Sequence, residues 1–129
     1  MRVIVAGGRE VTDPALVAKA IEASGFEITE LVSGGARGVD ALGEAWALAH
    51  GLPVRIFRAD WKKHGRKAGP LRNREMAAYA EALIAIPTGG PGTQNMIKEA
   101  WLAKRPQYIH TTDLVGELDA LSRALEASR

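Results

Sequence analysis

The sequence predicts an α/β fold: a mainly parallel sheet of about five strands with helices on both faces. Short Val-, Ile- and Leu-rich runs alternate with helix-like segments from one end of the chain to the other. Three of those runs end in glycine-bearing turns, Ala6-Gly7-Gly8-Arg9, Ser33-Gly34-Gly35-Ala36-Arg37-Gly38 and Pro87-Thr88-Gly89-Gly90-Pro91-Gly92-Thr93. Parallel strands finish on one side, so the three turns are expected at one sheet edge. Helix punctuation completes the pattern.

Strands are expected near 2–6, 29–33, 53–57, 82–87 and 107–110, with helices over 13–24, 38–50, 70–80, 93–104 and 113–127. Thr12-Asp13-Pro14 sets a capping side chain before a proline suited to a first helical turn, and Gly25 stops that helix. Gly51 and Pro53 end the second in the same way. Thr112 or Asp113 can cap the last, whose Leu114, Leu118, Leu121 and Leu125 form a packing stripe suited to a core or a subunit contact. Residues 58–69 are the one long irregular stretch, a length typical of lids and binding loops.

With 129 residues, 47% of them apolar and 25% charged, the chain is expected to form one globular domain spanning 1–129. A net charge of +2 predicts no strong general attraction to nucleic acid or membrane. The charge is unevenly spread. Eight Lys/Arg lie between Arg55 and Arg74 against one acid, Asp60, either as a solvated loop or as an arm over a polyanion. The absence of cysteine excludes disulfides and thiolate metal sites and suits a reducing cytoplasm. The N-terminal run has no signal-peptide pattern, and no eighteen apolar residues run together, so a cytoplasmic protein without membrane contact is expected.

The glycine turns carry the chemistry. Glycine lets backbone N–H groups approach an anion closely, and a helix beginning after the turn adds its positive dipole end. At Gly89-Gly90-Pro91-Gly92, Thr93 is expected at the helix start, offering a capping hydroxyl and free N–H groups for a phosphate. Two glycines and a proline can also be no more than a sharp turn. In the second turn Arg37 can fork onto phosphate or carboxylate, and Asp40 favours the helix N-terminus. In the first, Arg9 is expected over the same edge.

Neither G-x-G-x-x-G nor a Walker lysine motif occurs, which disfavours an ordinary dinucleotide-dependent dehydrogenase. In Gly69-Pro70-Leu71-Arg72-Asn73-Arg74, two arginines separated by one residue do not share a helix face, so one is expected to bind and the other to brace. His50, His64 and His110 lack metal-ligand spacing. Trp61, among positive charges, can stack on a base, while Trp46 and Trp101 suit a core or an interface.

Taken together, these motifs resemble the SLOG superfamily, named after the Smf/DprA DNA-processing proteins and the LOG (lysine decarboxylase-like) phosphoribohydrolases. The closest match is to the small stand-alone YspA/YpsA-related group. Val3 to Arg9 is similar to that family's opening strand and G-G/S-R turn, and Ser33-Gly34-Gly35-Ala36-Arg37-Gly38-Val39-Asp40 to its S-G-G-A-R-G-x-D element. Gly69 to Arg74 resembles the R-N-R segment of the DNA-processing proteins, and Gly89 to Thr93 the G-G-x-G-T phosphate loop of LOG enzymes. The resemblance runs from residue 3 to about residue 100. It implies a Rossmann-like three-layer α/β/α sandwich, a nucleotide or nucleotide-derived ligand at the strand C-terminal edge, and a homodimer.

LOG enzymes hydrolyse the N-glycosidic bond of nucleoside 5′-monophosphates with an arginine, matched here by Arg72, and the glutamate of G-G-x-G-T-x-x-E. That glutamate position holds Met96. Methionine can neither stabilise an oxocarbenium charge nor activate water, and Glu99, one turn deeper, is the available substitute.

Three functional readings follow in order. The first is binding, without turnover, of a nucleotide or ADP-ribose-like ligand by Gly7, Gly8, Arg9, Ser33, Gly34, Gly35, Arg37, Asp40, Arg72, Asn73, Gly89, Gly90, Gly92 and Thr93, with no cofactor or metal. The second is a phosphoribohydrolase with Arg72 and Glu99 as catalytic residues. The third is single-stranded nucleic-acid binding by the 55–74 basic run.

Overall fold

A computed structural model describes residues 1–111. They form five parallel strands, β1 (Arg2–Gly7), β2 (Glu30–Ser33), β3 (Val54–Ile56), β4 (Ala82–Ile86) and β5 (Gln107–Ile109), in the spatial order β3-β2-β1-β4-β5. Helices α1 (Pro14–Ser24) and α2 (Val39–Ala49) lie on one face, and α4 (Ala68–Tyr79) and α5 (Pro91–Leu102) on the other. A four-residue helix, α3 (Trp61–His64), precedes α4.

The alternation of side chains along a strand explains the two layers. Val3 and Val5 of β1 pack with Val17, Ala20 and Ile21 of α1 and Val39 and Ala47 of α2. Ile4 and Ala6 of the same strand pack with Met76 and Ala77 of α4 and Met96 and Ala100 of α5. All five residues of β4 are buried, as expected of a strand covered on both faces. This is the Rossmann-like three-layer sandwich the sequence predicts. The chain runs outward from β1 through β2 to β3, then returns to the far side of β1, which leaves a crevice above β1 and β4 where the strand order reverses.

Capping follows the sequence at α1. Asp13 accepts a hydrogen bond from the Ala15 backbone at 2.9 Å, Pro14 occupies the first turn, and Gly25 closes the helix at φ +70°. Three boundaries differ. The 58–69 stretch is not irregular throughout: Asp60 caps α3, a 3-10 turn covers Gly65–Lys67, and α4 begins at Ala68, two residues before the expected start. Helix α5 starts at Pro91 with Gly90 as its cap residue, so Thr93 is inside the first turn and its hydroxyl does not cap the helix. Trp101 is 72% exposed on α5 and outside the core, whereas Trp46 packs against the α1/α2 layer and stacks on His50. The expected 113–127 helix lies outside the described residues. Among the described residues, no helix is long and apolar enough to cross a membrane.

Candidate functional site

The turns after β1, β2 and β4 stand together at the C-terminal edge of the sheet, around a cleft of about 490 Å³. They interlock through the main chain. Gly8 N–H donates to Ile86 O at 3.2 Å and Val39 N–H to Gly8 O at 3.1 Å, tying the first turn to β4 and to the start of α2. Gly38 has φ +76°, and a Cβ there would overlap the Gly8 carbonyl oxygen, so a side chain is excluded by both conformation and space. A Cβ on Gly8 would likewise collide with the side chain of Thr88.

Ten of the residues picked from sequence line this cleft: Gly7, Gly8, Arg9, Gly34, Asp40, Arg72, Asn73, Gly90, Gly92 and Thr93. Ser33, Gly35, Arg37 and Gly89 do not. Ser33 is buried beneath its turn, donating to Glu44 Oε2 at 2.6 Å and accepting from Gly35 N–H. Arg37 is exposed and is not part of the lining. Glu99 is also outside it, buried on α5 with Oε2 3.5 Å from Arg74 Nε. The two arginines thus divide as the helical spacing requires: Arg72 faces the cleft and Arg74 pairs with Glu99.

Arg72 is held by acceptors from two loops. Its Nη1 donates to Gly34 O at 2.6 Å and to Phe57 O at 3.3 Å, and its Nε donates to Asn73 Oδ1 at 2.9 Å. Asn73 Nδ2 in turn donates to Asn95 Oδ1 at 2.9 Å and Gly92 O at 3.3 Å. Adjacent residues of α4 therefore fasten the β2 turn and the first turn of α5 to one element.

At the α5 entrance the backbone N–H groups of Gly92 and Thr93 have no hydrogen-bond acceptor among the described residues. Gly90 makes no side-chain cap, and Pro91 has no N–H to give. These amides are the free donors left at a helix N-terminus, where the dipole favours an anion. On the β2 side, Asp40 is 7% exposed and accepts from Ala36 N–H at 3.3 Å. Burial pushes its pKa up, against the opposing pull of the Ala36 hydrogen bond and the nearby Arg72 charge.

Glu10 and Thr88 also line the cleft and were not picked out from sequence. A hydrogen bond from Thr88 holds the Glu10 carboxyl below its usual range, linking the rims of the first and third turns. Glu10 had no readable sign beyond its place after Arg9. Met76 and Met96 complete an apolar floor, so the side chain at the position of the LOG glutamate is part of the lining. Among the described residues no group of His, Asp and Glu could hold a metal.

Fold and cleft together define a parallel α/β protein whose strand-end crevice is built from glycine turns at the point of strand reversal. The family described as YAcAr (YspA, cpYpsA-related SLOG family) matches residues 1–64. The Gene 61 protein of Mycobacterium phage D29 is 38% identical over 116 residues, covering 81% of this chain and 92% of that protein. The chain belongs to the YspA/cpYpsA-related family of the SLOG superfamily. Among solved structures, the DNA processing protein A (DprA) of Streptococcus pneumoniae is similar with a TM-score of 0.70 at 19% identity, over 98% of this chain. That likeness is one of fold, and the chain spans 56% of the DprA chain.

Proposed function

We propose that this protein binds a nucleotide or a nucleotide-derived, ADP-ribose-like ligand in the cleft, without turning it over. The observation that carries the reading is the pair of unpartnered amides, Gly92 and Thr93, at a helix start that opens into a cleft also lined by Arg9. Such an entrance holds a phosphate by main-chain donors and dipole. The hydrolase alternative assigns the catalytic carboxylate to Glu99, which lies outside the lining, paired with Arg74. Thermal denaturation against a panel of nucleotides tests the reading. A binder of the folded state at 100 times its Kd adds about 2.7 kcal/mol and raises the Tm. No shift with any nucleotide or with ADP-ribose would refute it.

A second reading, single-stranded nucleic-acid binding, is favoured by the placing of the basic run. Arg58, Lys62, Lys63, Arg66 and Lys67 are all exposed, with Trp61 54% exposed among them. Arg58 lies over Gly35, beside the cleft. The SLOG neighbour in structure is named a DNA processing protein. A steep fall of oligonucleotide affinity with salt would support this reading, because each phosphate neutralised releases counterions. A salt-insensitive mononucleotide complex would favour the first.

A further inference from the structure

The cleft has two chemically opposite ends. Its anion-suited end is the α5 entrance above β4, and its carboxylate end is Asp40 beyond β2. With β1 between them, the ends stand two strand spacings apart, roughly 10 Å.

Asp40 is under-satisfied for a carboxylate with about four acceptor sites. Its carboxylate takes backbone hydrogen bonds from Ala36 N–H, at 3.3 Å to Oδ2, and from Gly34, which leaves about half of its acceptor sites open to the cleft. Arg72 does not complete the set. A Cβ built on Gly34 would stand 2.8 Å from Arg72 Nη1 and 2.9 Å from Asp40 Oδ2, so the two side chains meet over the same backbone, yet Nη1 spends its hydrogens on the Gly34 and Phe57 carbonyls. Among the described residues no cation lies within 4 Å of Asp40 as an ion pair. Glu44, the other acid facing Asp40, is bound to Ser33 and adds negative charge. A buried acceptor short of donors favours a ligand that brings one.

We propose that Asp40 is a specificity residue of the cleft, accepting a hydrogen bond from a ribose hydroxyl of a ligand whose phosphate sits at the α5 amides. This rests on the binding reading above and deepens it, making the ligand class a ribonucleotide rather than a deoxynucleotide or a bare anion. A second phosphate or a carboxylate is repelled at Asp40, so the ligand has one orientation. A hydroxyl is neutral and donates, which suits this end.

The test titrates the full chain with the four ribonucleoside 5′-monophosphates, their 2′,3′-dideoxy counterparts, ribose 5-phosphate and inorganic phosphate, by calorimetry. At least one ribonucleotide should bind about 10-fold or more tightly than its dideoxy form, the cost of an unpaired buried acceptor. In Asp40→Asn and Asp40→Ala that preference should fall to about 2-fold or less, because an uncharged or absent acceptor gains little from the hydroxyl. Equal binding of ribo and dideoxy forms by the unaltered protein overturns the proposal while leaving phosphate binding intact. Binding of neither nucleotide nor phosphate overturns the binding reading itself. The ribo/dideoxy comparison on the unaltered chain needs no variant to fold.

Discussion

Arg72 reaches across 38 positions of sequence to donate from Nη1 to the carbonyl oxygen of Gly34 at 2.6 Å. Its neighbour Asn73 does the same for Gly92 on the opposite rim. A single helical dipeptide therefore sets the width of the cleft, with one residue fastening each side. The guanidinium is half-buried in doing so, and burial lowers its pKa while it stays charged.

Replacing Arg72 by alanine should loosen the β2 turn as well as remove a cation. Loss of charge-assisted bonds to two carbonyls is expected to cost about 2–4 kcal/mol, with ligand affinity falling in parallel. Arg72→Lys should recover only part, because one ammonium can serve the carbonyls that Nη1 serves but has no second donor for Asn73 Oδ1. Urea denaturation and calorimetry check both. An Arg72→Ala protein of unchanged stability would show that the fastening is unimportant.

Two glycines lining the cleft should behave oppositely. A methyl group on Gly8 collides with Thr88, so Gly8→Ala should destabilise by about 1–3 kcal/mol. A methyl group on Gly92 meets nothing within 4 Å and sits in a helical turn, so Gly92→Ala should keep or slightly raise the Tm. Its ligand affinity should drop, since that methyl narrows the approach to the amides. Stability and affinity measured side by side would separate the two effects.

Asp40 gives the stability curve a definite sign. Its pKa is raised in the folded state, so the folded chain holds this proton to a higher pH than the unfolded chain does. The contribution is complete in acid and is lost as pH rises from about 4, the ordinary carboxylate value, through the raised one. Asp40→Asn should abolish that decline. Denaturation of both proteins across this range, read as a difference, isolates it from the other carboxylates.

Glu99→Gln should leave nucleotide affinity within about 2-fold, because the carboxylate lies outside the cleft lining. Its partner Arg74 is mostly solvent-exposed, so the pair adds little stability. Free base released from AMP, CMP or GMP by the unaltered protein, and lost in Glu99→Gln, would instead make this residue part of a hydrolase.

Much of this architecture was legible because glycine and proline punctuate the chain where strands end. The edge position of Gly8, Gly34 and Gly90 followed from parallel strands alone. The start of α4 was not legible: Gly69 and Pro70 read as a break, yet proline is tolerated in a first helical turn and Ala68 and Gly69 are buried against their surroundings. Arg37 stands beside a helix start, but sequence does not tell on which side of a turn a side chain leaves. Asp40 looked like a dipole partner, and only tertiary packing brought it beneath Gly34. Glu10 owes its place to Thr88, 78 positions away, a pairing no local pattern records.

The interlocked turns bear on how a guest enters. Spreading the Gly8 loop from β4 and α2 would break the bonds to Ile86 and Val39 together, and moving the β2 turn would break Arg72 from Gly34. The crevice is thus a socket rather than a jaw: it is already shaped before anything arrives, so little ordering entropy is spent on capture. Entry would then ask only for nanosecond swinging of the exposed Arg9 and Glu10 side chains at the mouth and no slow movement of the backbone, while the length of stay would be set by the bonds the guest makes.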